Sequence, residues 1–362
     1  MKGNNVLTRS VLNPHAKTET NEQPSPGIKK RDQYKIAVLG AGAWGTALAI
    51  AFARSGAHIQ LWGRNETQIR RMTKSRRNER YLPNGTLDAN IHPTHILSDA
   101  VKNADAVFIV VPSSAFGYIT ERISEHVSDG TPVISCTKGL DPAHNTLLTE
   151  NIIRNIPQAA PLYLSGPSFA SEVADEHPTS VLLAGDFQIA CELAAKIGSD
   201  TFHIQPDADM VGAQVGGLLK NVVAIACGMS DGLGFGSNTR AAIMARGLEE
   251  AANLADALGG EAKTLLGVAG AGDLALTCTD PQSRNYSFGQ SLADPTKDLK
   301  AKTFEGAASV QNACRLMREH GLEANISFAV LDVLAGEITP KEFVPTLFSI
   351  PATTPEQAQI AS

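Results

Sequence analysis

Cysteine is scarce and scattered in this chain. The five residues, Cys136, Cys191, Cys227, Cys278 and Cys314, are odd in number and show no CxxC spacing, so neither a disulfide framework nor a zinc site is indicated and a reducing cytoplasm is the expected compartment. An excess of basic charge is lacking too. A net charge of -6 and a pI near 5.9 argue against a nucleic-acid binder while leaving room for a local phosphate site. No stretch reaches the roughly 18 to 20 charge-free apolar residues that a membrane span requires. Among the histidines the close pair is His92-x-x-His95, in the Pro-containing stretch NIHPTHILS. It lacks the helical i, i+4 spacing and the nearby acids of a zinc motif, and it reads as a surface loop with no metal.

What is present describes a soluble chain of about two domains: 362 residues, 43% hydrophobic and 19% charged. Residues 1 to 34 carry Lys2, Arg9, Lys17, Lys29, Lys30 and Arg31 against Glu19, Glu22 and Asp32, with no sustained apolar segment. They read as a disordered extension, and the acids weigh against a transit peptide. The organised chain divides into residues 35 to 208, residues 209 to 348 and a short tail, 349 to 362.

The first part opens with YKIAVLGAGAWGTALAIAFARSGAHIQLWGRN, which reads as strand, tight turn, helix and second strand. In the turn, Gly40 permits the sharp bend, Gly42 lets the backbone approach a pyrophosphate, and Gly45 allows close helix-to-strand packing, while the helix N-terminus offers free N–H groups to the anion. This is a dinucleotide-binding pattern. At the end of the second strand, where a carboxylate would accept hydrogen bonds from the ribose of NAD, stand Gly63 and Arg64. An arginine there suits a 2′-phosphate, so NADP(H) is expected in preference to NAD(H).

Further apolar runs at 105 to 113, 131 to 139, 161 to 170, 179 to 185 and 201 to 205 alternate with helical segments. They predict a doubly wound, parallel α/β sheet covered on both faces. Ligands bind beyond the carboxyl ends of such strands, which points to Pro112-Ser113, Lys138-Gly139 and Gly166-Pro167-Ser168-Phe169-Ala170.

Beyond about residue 208 the pattern becomes helical, with long stretches at 210 to 228, 238 to 258 and 305 to 319, predicting an all-helical second domain. Lys220 stands near the start of the first of these, inside an apolar run and after Gly216 and Gly217, whose small size is expected to leave room for a ligand at the amine. Enclosing an ammonium in apolar surroundings costs several kcal/mol, roughly, unless it is paired or deprotonated. The same half supplies Asp273 in VAGAGDLALTCTD and the run Ser283-Arg284-Asn285, where a guanidinium beside a hydroxyl and an amide suits phosphate. The clusters DGLGFGS (231 to 237) and GAGD (270 to 273) follow no strand-like run and read as turns between helices.

Taken in order, GAGAWGTALA, LWGR, VVPS, TKGL, SGPSFA, VGGLLKNVVAIACGMSDGLGFG, GAGDLALTCT and SRN closely resemble the bacterial NAD(P)-dependent glycerol-3-phosphate dehydrogenases, from about residue 35 to 345. The resemblance implies a Rossmann domain joined to a helical domain, and reversible reduction of dihydroxyacetone phosphate to sn-glycerol 3-phosphate for phospholipid synthesis. Carried over by motif, it implies Lys220 as general acid/base and substrate contacts at Lys138, Gly166, Ser168, Lys220, Asp273, Ser283, Arg284 and Asn285. Cofactor contacts then fall on Ala43, Trp44, Arg64, Lys138, Ala170, Arg284, Thr303 and Glu305, beside Gly40, Gly42 and Gly45 of the turn. Two positions depart from the family's common pattern: Ala43, where serine is frequent, and Thr303, where an aliphatic residue often stands. A β-hydroxyacid or phosphogluconate-type dehydrogenase and a non-catalytic NADPH sensor share parts of this pattern, but neither calls for SGPSFA and SRN together with Lys220 and Asp273. The oligomeric state is not written in the sequence; a homodimer is compatible with it.

Overall fold

Residues 34–294, 296 and 304–348 are described by a computed structural model. The first strand, β1 (Lys35–Leu39), shows why these residues form a sheet covered on both faces. Ile36 and Val38 pack into one apolar cluster with Phe52 and Phe108, while Ala37 and Leu39 pack into another with Phe116 and Ile152. With side chains alternating between faces and both faces apolar, β1 must lie in the middle of a layered sheet.

The remaining strands are β2 (His58–Trp62), β3 (Arg77–Asn78), β4 (Leu82–Thr86), β5 (Ile91–Thr94), β6 (Ala106–Ile109), β7 (Pro132–Ser135), β8 (Ala160–Ser165), β9 (Thr179–Gly185) and β10 (Phe202–Asp207). Eight of the ten described strands form one sheet in the order β10-β9-β8-β7-β6-β1-β2-β5, and β3 with β4 make a separate hairpin. Around the sheet lie α1 (Ala43–Arg54), α2 (Glu66–Ser75), α3 (Leu97–Val101), α4 (Ser113–Ile123), α5 (Leu148–Asn155), α6 (Ala170–Ala174) and α7 (Phe187–Ile197). The helical part contains α8 (Met210–Gly232), α9 (Ser237–Ala257), α10 (Asp273–Thr279), α11 (Arg284–Leu292), α12 (Phe304–Glu319), α13 (Asn325–Ala335) and α14 (Pro340–Phe348). The expected fold class, a Rossmann-type sheet followed by helices, is the observed one.

Several details differ from the sequence expectation. The sheet is not wholly parallel, because β8 and β9 run antiparallel. The stretch NIHPTHILS is no loop: Ile91–Thr94 is the edge strand β5, parallel to β2, and an edge tolerates Pro93 because no further strand requires its N–H. Lys220 sits midway along α8 rather than near its start. Among the described residues, α8 is long and apolar enough to cross a membrane by length and composition, since Lys220 is its one basic residue and the mean hydropathy of its apolar window is 1.5. That window is 78% buried inside the protein, so α8 is the central helix of the core. It gathers Leu218, Val222, Ile225 and Met229 with Ile243 of α9, Cys278 of α10 and Val330 of α13. A smaller cluster of Tyr163, Leu182, Ala184, Ala213 and Ala269 joins the antiparallel corner of the sheet to α8.

Candidate active site

The turn between β1 and α1 is built by exclusion. Gly40 holds a φ of +134°, and a Cβ there would stand 2.2 Å from the Val110 carbonyl oxygen; one on Gly45 would stand 1.9 Å from the Gly40 oxygen. Neither position admits a side chain. Gly42 differs, for a Cβ on it would meet nothing within 4 Å. Gly42 is also the N-cap of α1, with no side-chain cap and no acidic residue in the first turn. An uncapped helix start facing open space fits a dinucleotide's pyrophosphate, because its N–H groups and the helix dipole favour an anion there. Ala43 begins α1, and Trp44 and Ala170 are half-buried against the same core cluster. Arg64, just beyond β2, is exposed, and among the described residues no hydrogen bond or ion pair engages its guanidinium. Thr303 and the side chain of Glu305 lie outside the described residues.

A second constellation lies where the sheet meets the helices. Lys220 Nζ donates to Asp273 Oδ1 at 2.5 Å and to Thr277 Oγ1 at 2.9 Å. Lys138, just beyond β7, donates to the other oxygen of the same carboxylate. Asp273 is 1% exposed. It opens α10, so its negative charge is also favoured by the positive end of that helix's dipole. Thr277 lies one turn further along and donates to the Asp273 carbonyl at 2.6 Å. Thr277 went unassigned in the sequence, although an i, i+4 partner on Asp273's own helix face was the available signal.

The amine is held against an apolar wall, a small cavity lined in part by Leu219, Val223, Leu248, Ala251, Leu265 and Leu274. Burial there, reinforced by the nearby Lys138 charge, pulls the Lys220 pKa from its ordinary value down to about 7, against the opposing pull of Asp273. The room expected beside Gly216 and Gly217 is taken up by the protein itself. A Cβ on Gly217 would lie 2.6 Å from Tyr163 Oη and 3.4 Å from Lys138 Cγ, and one on Gly216 would lie 2.5 Å from the Ala269 oxygen. Glycine therefore lets the Lys138 stem reach Asp273. Among the described residues, Tyr163 Oη and Ser165 Oγ are buried beside it without a hydrogen-bond partner, and burial pushes the Tyr163 phenol well above its ordinary value.

Other expected residues ring this centre. The loop Gly166-Pro167-Ser168 approaches the Asp273 turn, with Pro167 against Gly272, and Ser168 Oγ donates to the Gly166 oxygen at 3.0 Å. Ser171 reaches Gln282 at 3.5 Å, just before the Ser283-Arg284-Asn285 run. Ser283 is itself buried as the N-cap of α11, accepting from the Tyr286 N–H at 3.2 Å. Arg284 is exposed and Asn285 half-buried. Among the described residues, no hydrogen bond or ion pair joins these three side chains to the Lys220–Asp273 pair.

A Gly-rich anion cradle and a buried lysine–carboxylate centre on one chain suit hydride-transfer chemistry on a phosphorylated substrate. Comparison with known proteins decides the family. Residues 35–190 match the N-terminal and residues 209–345 the C-terminal part of NAD-dependent glycerol-3-phosphate dehydrogenase. The chain belongs to the NAD-dependent glycerol-3-phosphate dehydrogenase family.

It is 40% identical over 324 residues to a glycerol-3-phosphate dehydrogenase [NAD(P)+] of Nitrosococcus oceani, covering 88% of this chain and 94% of the relative. It is 39% identical to that of Parvibaculum lavamentivorans, covering 88% and 97%. The crystal structure of glycerol-3-phosphate dehydrogenase from Coxiella burnetii superposes with a TM-score of 0.83 at 36% identity, covering 88% of this chain and 99% of that one. Membership of the glycerol-3-phosphate dehydrogenase family makes the chain an oxidoreductase that uses a nicotinamide dinucleotide and a small-molecule substrate.

Proposed function

We infer that this chain interconverts dihydroxyacetone phosphate and sn-glycerol 3-phosphate, feeding glycerophospholipid synthesis, with Lys220 as the acid of reduction and the base of oxidation. The observation that carries the reading is a single amine, buried midway along an apolar helix, paired with Asp273 and Thr277, and lowered to a pKa of about 7. When bound on the Gly40–Gly45 turn, the nicotinamide dinucleotide supplies or accepts the hydride. Charge developing on the substrate oxygen during reduction must be stabilised and protonated. Lys220 carries a proton on a nitrogen that releases it near neutral pH, so it donates in one direction and accepts in the other. Asp273 and Thr277 fix where that nitrogen points, and Lys138 adds positive charge at the same carboxylate. Gly166, Ser168, Ser283, Arg284 and Asn285 are assigned to the substrate and its phosphate. Arg284 and Lys138 also face the cofactor in this reading, together with Ala43, Trp44 and Ala170.

The exposed Arg64 supports NADP(H) over NAD(H), since its guanidinium is free to pair with a 2′-phosphate. All the groups invoked belong to one chain, so the mechanism holds equally for a monomer and a homodimer. Five free thiols, four of them buried, support work in the reducing cytoplasm.

Replacing Lys220 by Ala is expected to lower turnover of dihydroxyacetone phosphate by about 10² to 10⁴ with dinucleotide binding retained. Near-normal turnover in that variant removes Lys220 from the chemistry. For cofactor choice, Arg64→Asp is expected to abolish the preference for NADPH in measured dissociation constants; an unchanged preference overturns the assignment.

A further inference from the structure

We propose that Asn78, on the hairpin between α2 and β5, is a positioning residue for the nicotinamide dinucleotide: it holds the carbonyl groups of the Gly40–Gly42 turn away from the ligand so that only N–H donors face the pyrophosphate. The proposal rests on the reading of that turn as the dinucleotide site.

Asn78 is fully buried, and both polar atoms of its side chain are used. Its Nδ2 donates to the Ala41 oxygen at 3.1 Å and to Thr46 Oγ1 at 2.7 Å, and its Oδ1 accepts from Gln68 Nε2 at 3.3 Å. Gln68 Nε2 donates to the same Ala41 oxygen at 3.0 Å. Thr46 Oγ1 in turn donates to the Gly42 oxygen at 2.7 Å, which also accepts the Thr46 backbone N–H at 3.0 Å. Burying an amide is unfavourable unless it is fully satisfied, and an apolar side chain would fill the space without that requirement. What the amide adds is direction.

In a trans peptide the carbonyl and the following N–H point opposite ways. With two donors, from α2 and from the hairpin, drawing the Ala41 oxygen toward them, the Gly42 N–H is turned to the other side, at the uncapped start of α1. The Gly42 carbonyl is likewise occupied by Thr46. Two oxygens that would repel a pyrophosphate are thus engaged by protein donors, one directly by Asn78 and the other through the hydroxyl that Asn78 holds. The hairpin exists in the right place for this because its pairing shifts register between Arg77 and Asn78, opposite Thr86 and Leu82. That shift frees Asn78 to turn inward while Arg77 stays exposed.

The test uses the full-length protein and direct binding. Asn78→Asp keeps the shape and removes both donated hydrogen bonds; Thr46→Val removes the relay alone. Dissociation constants for NADPH and NADH, from calorimetry or protein fluorescence, are expected to rise about 10- to 100-fold for Asn78→Asp and about 3- to 10-fold for Thr46→Val, with tenfold corresponding to about 1.4 kcal/mol. The factor is expected to be the same for both dinucleotides, because the pyrophosphate is common to them. The KM for the dinucleotide should follow, and that for dihydroxyacetone phosphate should move less than twofold.

Unchanged dissociation constants in either folded variant overturn the proposal, as does a loss confined to NADPH or a lowered melting temperature with normal affinity. If Asn78→Asp does not fold, Thr46→Val decides alone. Failure of the wild-type protein to bind either dinucleotide would instead sink the reading of the turn itself.

Discussion

The turns Gly40-Ala41-Gly42 and Gly270-Ala271-Gly272 spell the same three residues, and each leads into a helix, α1 in one case and α10 in the other. At the first glycine both turns are packed, since a Cβ on Gly40 would stand 2.2 Å from the Val110 oxygen and one on Gly270 2.1 Å from the Leu265 oxygen; at the third they part, since a Cβ on Gly42 would meet nothing within 4 Å and one on Gly272 would meet Pro167 Cγ at 3.6 Å and the Gly267 oxygen at 3.7 Å. The first turn ends in space that a ligand can enter. The second is a π-helical turn, Val268–Gly272, packed on its own chain, and what it delivers is the carboxylate of Asp273. Identical letters therefore encode a receptor in one place and a bracket in the other. The preceding element decides which: a β-strand aims its turn at the sheet's ligand-binding edge, whereas the short helical turn Ala262–Leu266 folds the glycines back onto itself.

Four substitutions press on that contrast. The largest effect is expected from Asp273→Asn, which leaves two partly buried amines without their shared anion and should lower turnover by about 10² or more. It also carries a pH signature. Reduction needs protonated Lys220, so its rate should fall as pH rises through about 7. Because Asp273 favours the charged amine, its removal moves that fall to lower pH. Lys138→Ala, which removes a repelling charge, moves it to higher pH. A pH–rate profile that stays put in both variants would detach the profile from Lys220.

Next comes Gly270→Ala, expected to destabilise the fold by about 1–3 kcal/mol because the added methyl meets backbone, read from chemical denaturation. Smallest is Gly42→Ala. Its methyl occupies open space, so the unfolding midpoint should hold while the KM for the dinucleotide rises about tenfold, or about 1.4 kcal/mol. Should Gly42→Ala prove as destabilising as Gly270→Ala, the end of the first turn does not face open space.

Much of this is legible in the sequence. The strand-turn-helix at Lys35–Arg54 and the long helices from Met210, Ser237 and Phe304 follow from apolar periodicity, and Lys220 announced itself as a charge out of place. The antiparallel course of β8 and β9 was not readable, because a strand buried on both faces has the same apolar run in either direction. The strand β5 was hidden by Pro93 in a four-residue segment. The role of Gly217 is hidden from the sequence for a different reason. The groups that fill its vacant side-chain position, Lys138 and Tyr163, lie far away along the chain, and only the folded topology brings them together. Thr277, by contrast, was within reach of local reasoning, four residues beyond Asp273.

The carboxylate of Asp273 grips one amine from the end of a sheet strand and one from the central helix. It is thus a rivet through both layers as well as a member of the reaction centre. Prising the layers apart would leave a nearly waterless anion with half its compensation, a penalty on opening that no surface contact would impose. Geometry for proton transfer and cohesion of the halves are set by the same three side chains, so a change that loosens one loosens the other.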